Sequence, residues 1–171
     1  EDGKAARKSF RESVRAKAQA HREQQKAENQ EVRKENKDKT PQEKAAAMET
    51  QMATQYNENK AFRSQIHGEV KAFVQSQLQA KGLPADKIAE RMAKIDARFA
   101  EAEAHRDQQY QENEALLAKL AQDSDLTKEE LRSSLKSHFG QQKEENKQFR
   151  EERKTERKAA KEAKTQAPAQ N

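Results

Sequence analysis

Between residues 85 and 121 the chain repeats its inward positions in steps of four and three: Ile88, Met92, Ile95, Phe99, Ala102, Arg106, Gln109, Asn113, Leu116 and Leu120. This spacing marks one stripe of an α-helix that drifts only slightly along its length. The two ends of the stripe are apolar and its middle is polar. The same interruption recurs along the chain. Gln25 and Asn29 precede Val32, Gln55 and Asn59 precede Phe62, Gln109 and Asn113 precede Leu116, and Gln142 and Asn146 precede Phe149. Each copy reads Gln-x-x-x-Asn-x-x-apolar, and two amides four residues apart share one helical face.

Starts and stops divide the pattern into four helices. Thr40-Pro41-Gln42-Glu43 and Thr127-Lys128-Glu129-Glu130 both read as capping boxes, the first with a first-turn proline. Leu126 precedes the second box and could staple onto Leu131. Lys81-Gly82-Leu83-Pro84 reads as a stop followed by a restart. The expected helices are 5–37, 41–80, 85–121 and 127–163, forming one elongated helical domain over 5–164. Residues 1–4 and 165–171 are expected to be disordered.

The copies are related in pairs. His-Arg-x-Gln-Gln-x-x-Glu-Asn begins at His21 and again at His105, while Glu-Asn-Lys-x-Phe-Arg begins at Glu58 and again at Glu145. The expected fold is therefore all-α, with about four long helices arranged as two related antiparallel hairpins in a cradle or bundle. The amides Gln25, Asn29, Gln55, Asn59, Gln109, Asn113, Gln142 and Asn146 admit two readings. They form a layer that fixes helix register by bonding across the bundle, or they line a shallow, wet concave surface.

Composition explains why the stripes are thin. Of 171 residues, 32% are hydrophobic and 38% charged, with a mean hydropathy of −1.42. Such a chain supports one narrow apolar seam per helix rather than a thick core, so it gains by burying that seam in an oligomer, with a dimer expected. The net charge of +5 is concentrated at the ends. Lys4, Arg7, Lys8, Arg11, Arg15 and Lys17 crowd the first helix, and the stretch from Arg150 to Lys164 is also basic. These ends would attract acidic partners. Phe10 and Phe149 lie among them without forming a nucleic-acid recognition module, and nucleic acid is not the expected partner.

No catalytic pattern is present. The chain has no cysteine, no Gly-rich phosphate loop, no Gly-x-Ser-x-Gly and no His-Glu-x-x-His. Its carboxylates sit among Lys and Arg at helical spacing and are expected to be solvated. No cofactor or metal is expected, because no His-x-x-x-His pair occurs within a helix. His21, His105 and His138, each four residues before a signature Gln, are the side chains that come nearest to a metal set. No stretch has the roughly 18 apolar residues of a transmembrane helix.

The two capped starts, Lys39-Thr40-Pro41-Gln42-Glu43 and Leu126-Thr127-Lys128-Glu129-Glu130, resemble the paired Leu-Thr-x-x-Gln motifs of the Spy/CpxP family of bacterial envelope proteins, over about residues 40–160. The first lacks the leucine, and both carry Glu where the family prefers Gln. The resemblance implies an ATP-independent periplasmic chaperone or envelope-stress protein, working as a cradle-shaped dimer on unfolded or acidic protein clients. Client contacts would fall on Met48, Met52, Phe62, Met92, Phe99 and Phe139. A chain beginning at Glu1 suits a processed, exported form. Two other functions are compatible with the residues: a structural protein that assembles through its repeats into a filament or lattice, and a metal-binding stress sensor.

Overall fold

A computed structural model of the chain describes residues 2–166. Among them are four α-helices and no strand: α1 (Asp2–Glu35), α2 (Pro41–Gln79), α3 (Ala85–Gln122) and α4 (Lys128–Gln166). Each boundary agrees with the sequence pattern to within about a turn. Helix α1 begins at Asp2, so residues 2–4 are helical rather than disordered. Thr165 and Gln166 close α4, and the remainder of the expected disordered tail, 167–171, lies outside the described residues.

The breaks form as their residues dictate. Thr40 Oγ1 accepts the Glu43 N–H at 3.2 Å, and the Glu43 carboxylate accepts the Thr40 N–H at 2.8 Å. This reciprocal pair satisfies two donors that no helical carbonyl can reach. The Thr40 backbone N–H, followed by its hydroxyl, holds the Glu43 carboxyl below its usual value. Thr127 and Glu130 repeat the arrangement at α4, with bonds of 2.9 and 3.2 Å. Leu126 and Leu131, flanking that box, are both buried. Between α2 and α3, Gly82 adopts φ +69°, a left-handed conformation that a Cβ disfavours. It lets the Leu83 N–H reach the Leu78 carbonyl and the Gly82 N–H reach that of Gln79, which ends α2 in a Schellman turn.

The chain divides into two compact units, Glu1–Asp125 and Leu126–Asn171. The first holds α1, α2 and α3, a grouping of three helices rather than the expected two and two. Contacts between α1 and α2 run in opposite directions along the two helices, from Phe10 with Phe73 through His21 with Phe62 to Asn29 with Gln55. Helix α3 likewise runs antiparallel to α2, from Tyr110 with Tyr56 to Phe99 with His67. Helix α2 is therefore central, and α1 and α3 point the same way on either side of it. Packing of α3 on α2 is much more extensive than that of α1.

Fully apolar burial in this unit is confined to Ala45, Ile88, Leu117 and Leu120. Ala45, Leu117 and Leu120 lie at the end where α2 begins and α3 stops. There Gln42 Nε2 donates to the carbonyls of Asp123 and Ser124 at 2.8 and 3.2 Å, satisfying acceptors just beyond α3. The α3 stripe read from the sequence is correct at Ile88 and Leu120. Two further buried members, Glu103 and Leu117, lie one place beyond the expected Ala102 and Leu116. At Glu103 the cause is charge: the α3 face toward α2 also carries Asp96 and Asp107, and all three meet cations on α2.

Candidate functional site

Three helices converge where their signature amides lie. A pocket of about 450 Å³ is lined by Asn29, Val32 and Arg33 of α1, by seven α2 residues between Met48 and Arg63, and by Arg106, Gln109, Tyr110 and Asn113 of α3. The α2 contribution, Met48, Gln51, Met52, Gln55, Tyr56, Asn59 and Arg63, advances by steps of one to four along one broad face. The duplicated run starting at His21 and at His105 explains the convergence. Its two copies sit on parallel helices flanking α2, so Asn29 and its counterpart Asn113 reach the same pocket from opposite walls.

Several of these amides bond across helices. Asn29 Nδ2 donates to Gln55 Oε1 at 3.2 Å, and Gln55 Nε2 donates to the Gln25 carbonyl at 3.3 Å. His21 Nε2 lies 2.9 Å from Asn59 Oδ1, its ring stacked on Phe62 with centroids 4.4 Å apart. The Gln25 Nε2 is buried without a hydrogen-bond partner. The amides Asn29, Gln55 and Asn59 thus tie α1 to α2, and the same three line the pocket. Gln142 and Asn146 belong to the second unit. Asn146 Nδ2 donates back to the Gln142 carbonyl at 2.9 Å, and both residues border a shallow groove on α4 with Phe139.

Beside the pocket, α2 and α3 meet through alternating cations and carboxylates. Arg63 donates to both oxygens of Glu103 at 2.6 and 2.9 Å, and Arg106 adds a bond of 2.7 Å. Glu103 is only 8% exposed, so the expectation that the carboxylates are solvated fails here. Burial pushes its carboxyl up, but the two guanidiniums together outweigh burial and hold it below the usual value. Further along, Asp107 accepts from Tyr56 and from Lys60, and these bonds, the Tyr56 hydroxyl first, lower its carboxyl. Burial and then the Asp107 bond raise the Tyr56 hydroxyl. Asp96 accepts from Lys71 at 2.7 Å and lies 2.8 Å from His67 Nε2; Lys71, then His67, lowers it.

Sequence reasoning missed this charge zipper because it ranked positions by hydrophobicity. The signal was present as acids at 96, 103 and 107 facing bases at 60, 63 and 71 in reversed order. It missed the ring pairs for a similar reason. Along α2, Tyr56, Phe62, His67 and Phe73 stack alternately on α3 and α1, against Tyr110, His21, Phe99 and Phe10. Each partner is distant in sequence.

The expected client residues are dispersed. Met48 and Met52 line the pocket. Phe62 and Phe99 are half-buried under histidine rings, and Met92 is half-buried on α3. Phe139, on α4, is the most open of them at 42% exposure, with its edge near His138. Of the metal candidates, His21 is engaged by Asn59 and Phe62, while His138 lies in the other unit from His21 and His105. Among the described residues no three His, Asp or Glu side chains group as a metal set would, and no helix is long and apolar enough to cross a membrane.

Comparison with known proteins adds no relative: no family model, no curated protein and no solved structure matches this chain.

Proposed function

We propose that this is a non-catalytic binding protein that holds extended polypeptide in the amide-lined pocket and acts as an ATP-independent chaperone. The observation that carries this reading is the lining itself. Asn29, Gln51, Gln55, Asn59, Gln109 and Asn113 offer both donors and acceptors, Met48 and Met52 offer adaptable apolar surface, and Arg33, Arg63 and Arg106 are the charged members. An extended peptide presents alternating N–H and C=O groups, which amides can match without regard to sequence. Methionines adapt to varied side chains, as in other promiscuous binders. No lining residue is acidic, which favours clients rich in Asp and Glu.

The capped Thr40 and Thr127 starts extend the proposal to an exported, Spy/CpxP-like protein of the bacterial envelope, working as a dimer. Self-assembly into a filament has less support, because three of the four repeat copies contribute to the lining of one pocket. The test is suppression of heat-induced aggregation of an unfolding enzyme, without nucleotide. Wild-type protein should suppress it, and Met48→Ser/Met52→Ser should act several-fold more weakly. Absence of any effect at several-fold molar excess would sink the proposal. Sedimentation across concentrations tests the dimer.

A further inference from the structure

Near the start of α1 and the end of α2 lies a second cavity of about 350 Å³ whose chemistry is opposite to that of the amide pocket. Its floor is apolar. Phe10 and Phe73 stack face to face, with centroids 4.2 Å apart and planes 1° from parallel, and Val74 and Leu78 extend the surface along α2. All four are only half-buried, so the stack leaves apolar area in contact with water. The rim is cationic: Arg7 and Arg11 from α1, and Lys81 just beyond α2. Gln77 completes the lining, and its carbonyl is the single side-chain acceptor there. The cationic surface continues along α1 through Lys4, Lys8 and Arg15, with Glu12 among them.

We infer that this cleft binds an anionic single-chain amphiphile of the fatty-acid type. The alkyl chain would lie on the Phe10–Phe73 stack and the carboxylate would accept bonds from Arg7, Arg11 and Lys81. Two features select this class. The cavity falls within the roughly 300–1,000 Å³ typical of small-ligand sites, with the expected apolar lining and few convergent polar groups. Its polar groups are also nearly all donors. A peptide laid here would bring N–H groups to a surface with one side-chain acceptor, and burying them unpaired is unfavourable. A carboxylate brings only acceptors, and an alkyl chain brings neither. The guanidiniums of Arg7 and Arg11 suit a carboxylate geometrically as well as electrically.

The experiment is calorimetric titration of the full chain with sodium decanoate, below its micelle concentration. Saturable one-site binding is expected, weakened at least tenfold by Arg7→Glu/Arg11→Glu and by Phe73→Ser, and unchanged by Met48→Ser/Met52→Ser in the other pocket. Circular dichroism reports whether each variant keeps its helices. Should the α1 double variant lose them, Lys81→Glu, which lies outside the helix, carries the charge test with a several-fold loss expected. Equal affinity for decyltrimethylammonium would overturn the inference, as would indifference to every charge reversal. So would binding of an Asp/Leu-rich peptide or phosphatidylglycerol vesicles at this cleft without binding of monomeric decanoate.

Discussion

Helix α2 has two neighbours and holds them by different means. Toward α3 it presents Lys60, Arg63 and Lys71 to Asp107, Glu103 and Asp96, with the central carboxylate largely removed from water. Toward α1 it presents mostly neutral groups: Gln55 and Asn59 bond Asn29, the Gln25 carbonyl and His21, and Lys17–Glu69 is the one ion pair between these helices among the described residues. Stacked rings appear in both seams. The difference teaches how a chain with few apolar residues divides labour. Charge fixes α3 firmly against α2, since a desolvated, doubly paired carboxylate tolerates little displacement. Amides and rings hold α1 through fewer contacts, and the same amides line the pocket.

The contrast can be broken most sharply at its buried charge. Glu103→Ala strands Arg63 and Arg106 and should lower stability by about 3 kcal/mol, near the lower limit for breaking a buried pair, as read by chemical denaturation. Acid should act on the same seam. Asp96, Glu103 and Asp107 all have lowered carboxyl values when folded, so each contributes stability that is present above its unfolded value and lost as pH falls through the folded one. The melting temperature should therefore drop as pH falls below about 4. Glu103→Gln should flatten that drop, and an unchanged slope would show that the zipper contributes nothing.

Across the other seam the effects should be smaller. Phe73→Ala removes the Phe10 stack and part of the cleft floor, and should cost about 1–2 kcal/mol, given half-burial and about 1 kcal/mol for the ring pair. Gln55→Ala removes two cross-helix bonds and should cost about 1 kcal/mol. Its aggregation-suppressing activity should fall more than its stability, because the same amide lines the pocket. Lys17→Ala breaks a pair that is largely open to solvent. It should change stability least of these variants, and the change should vanish in high salt. Hydrogen exchange would sharpen the comparison further, with α1 amides exchanging before those of α2 and α3.

Much of this was legible along the chain. Helix number, helix limits and both capping boxes follow from local rules, because a cap or a left-handed glycine is decided by residues within one turn. The repeated amides were also legible as a set. Whether they bonded to one another or faced water was not, since that depends on which helices flank which. Glu103 illustrates the limit well. By composition it is one acid among 30 in a highly charged chain. Its burial comes from Arg63, forty residues earlier in sequence, arriving opposite it when α2 and α3 fold back on each other.

An all-helical chain with thin seams, four segments and a repeated Gln-x-x-x-Asn face follows from the residues alone, since periodicity and capping act locally. Packing of the helices on one another sets α2 at the centre of its unit, with its two neighbours presenting copies of one motif to a shared pocket. It also decided that Phe10 meets Phe73 beneath a cationic rim. Those outcomes depend on antiparallel register between distant helices, which pairwise packing and charge complementarity set and which no local window of sequence contains.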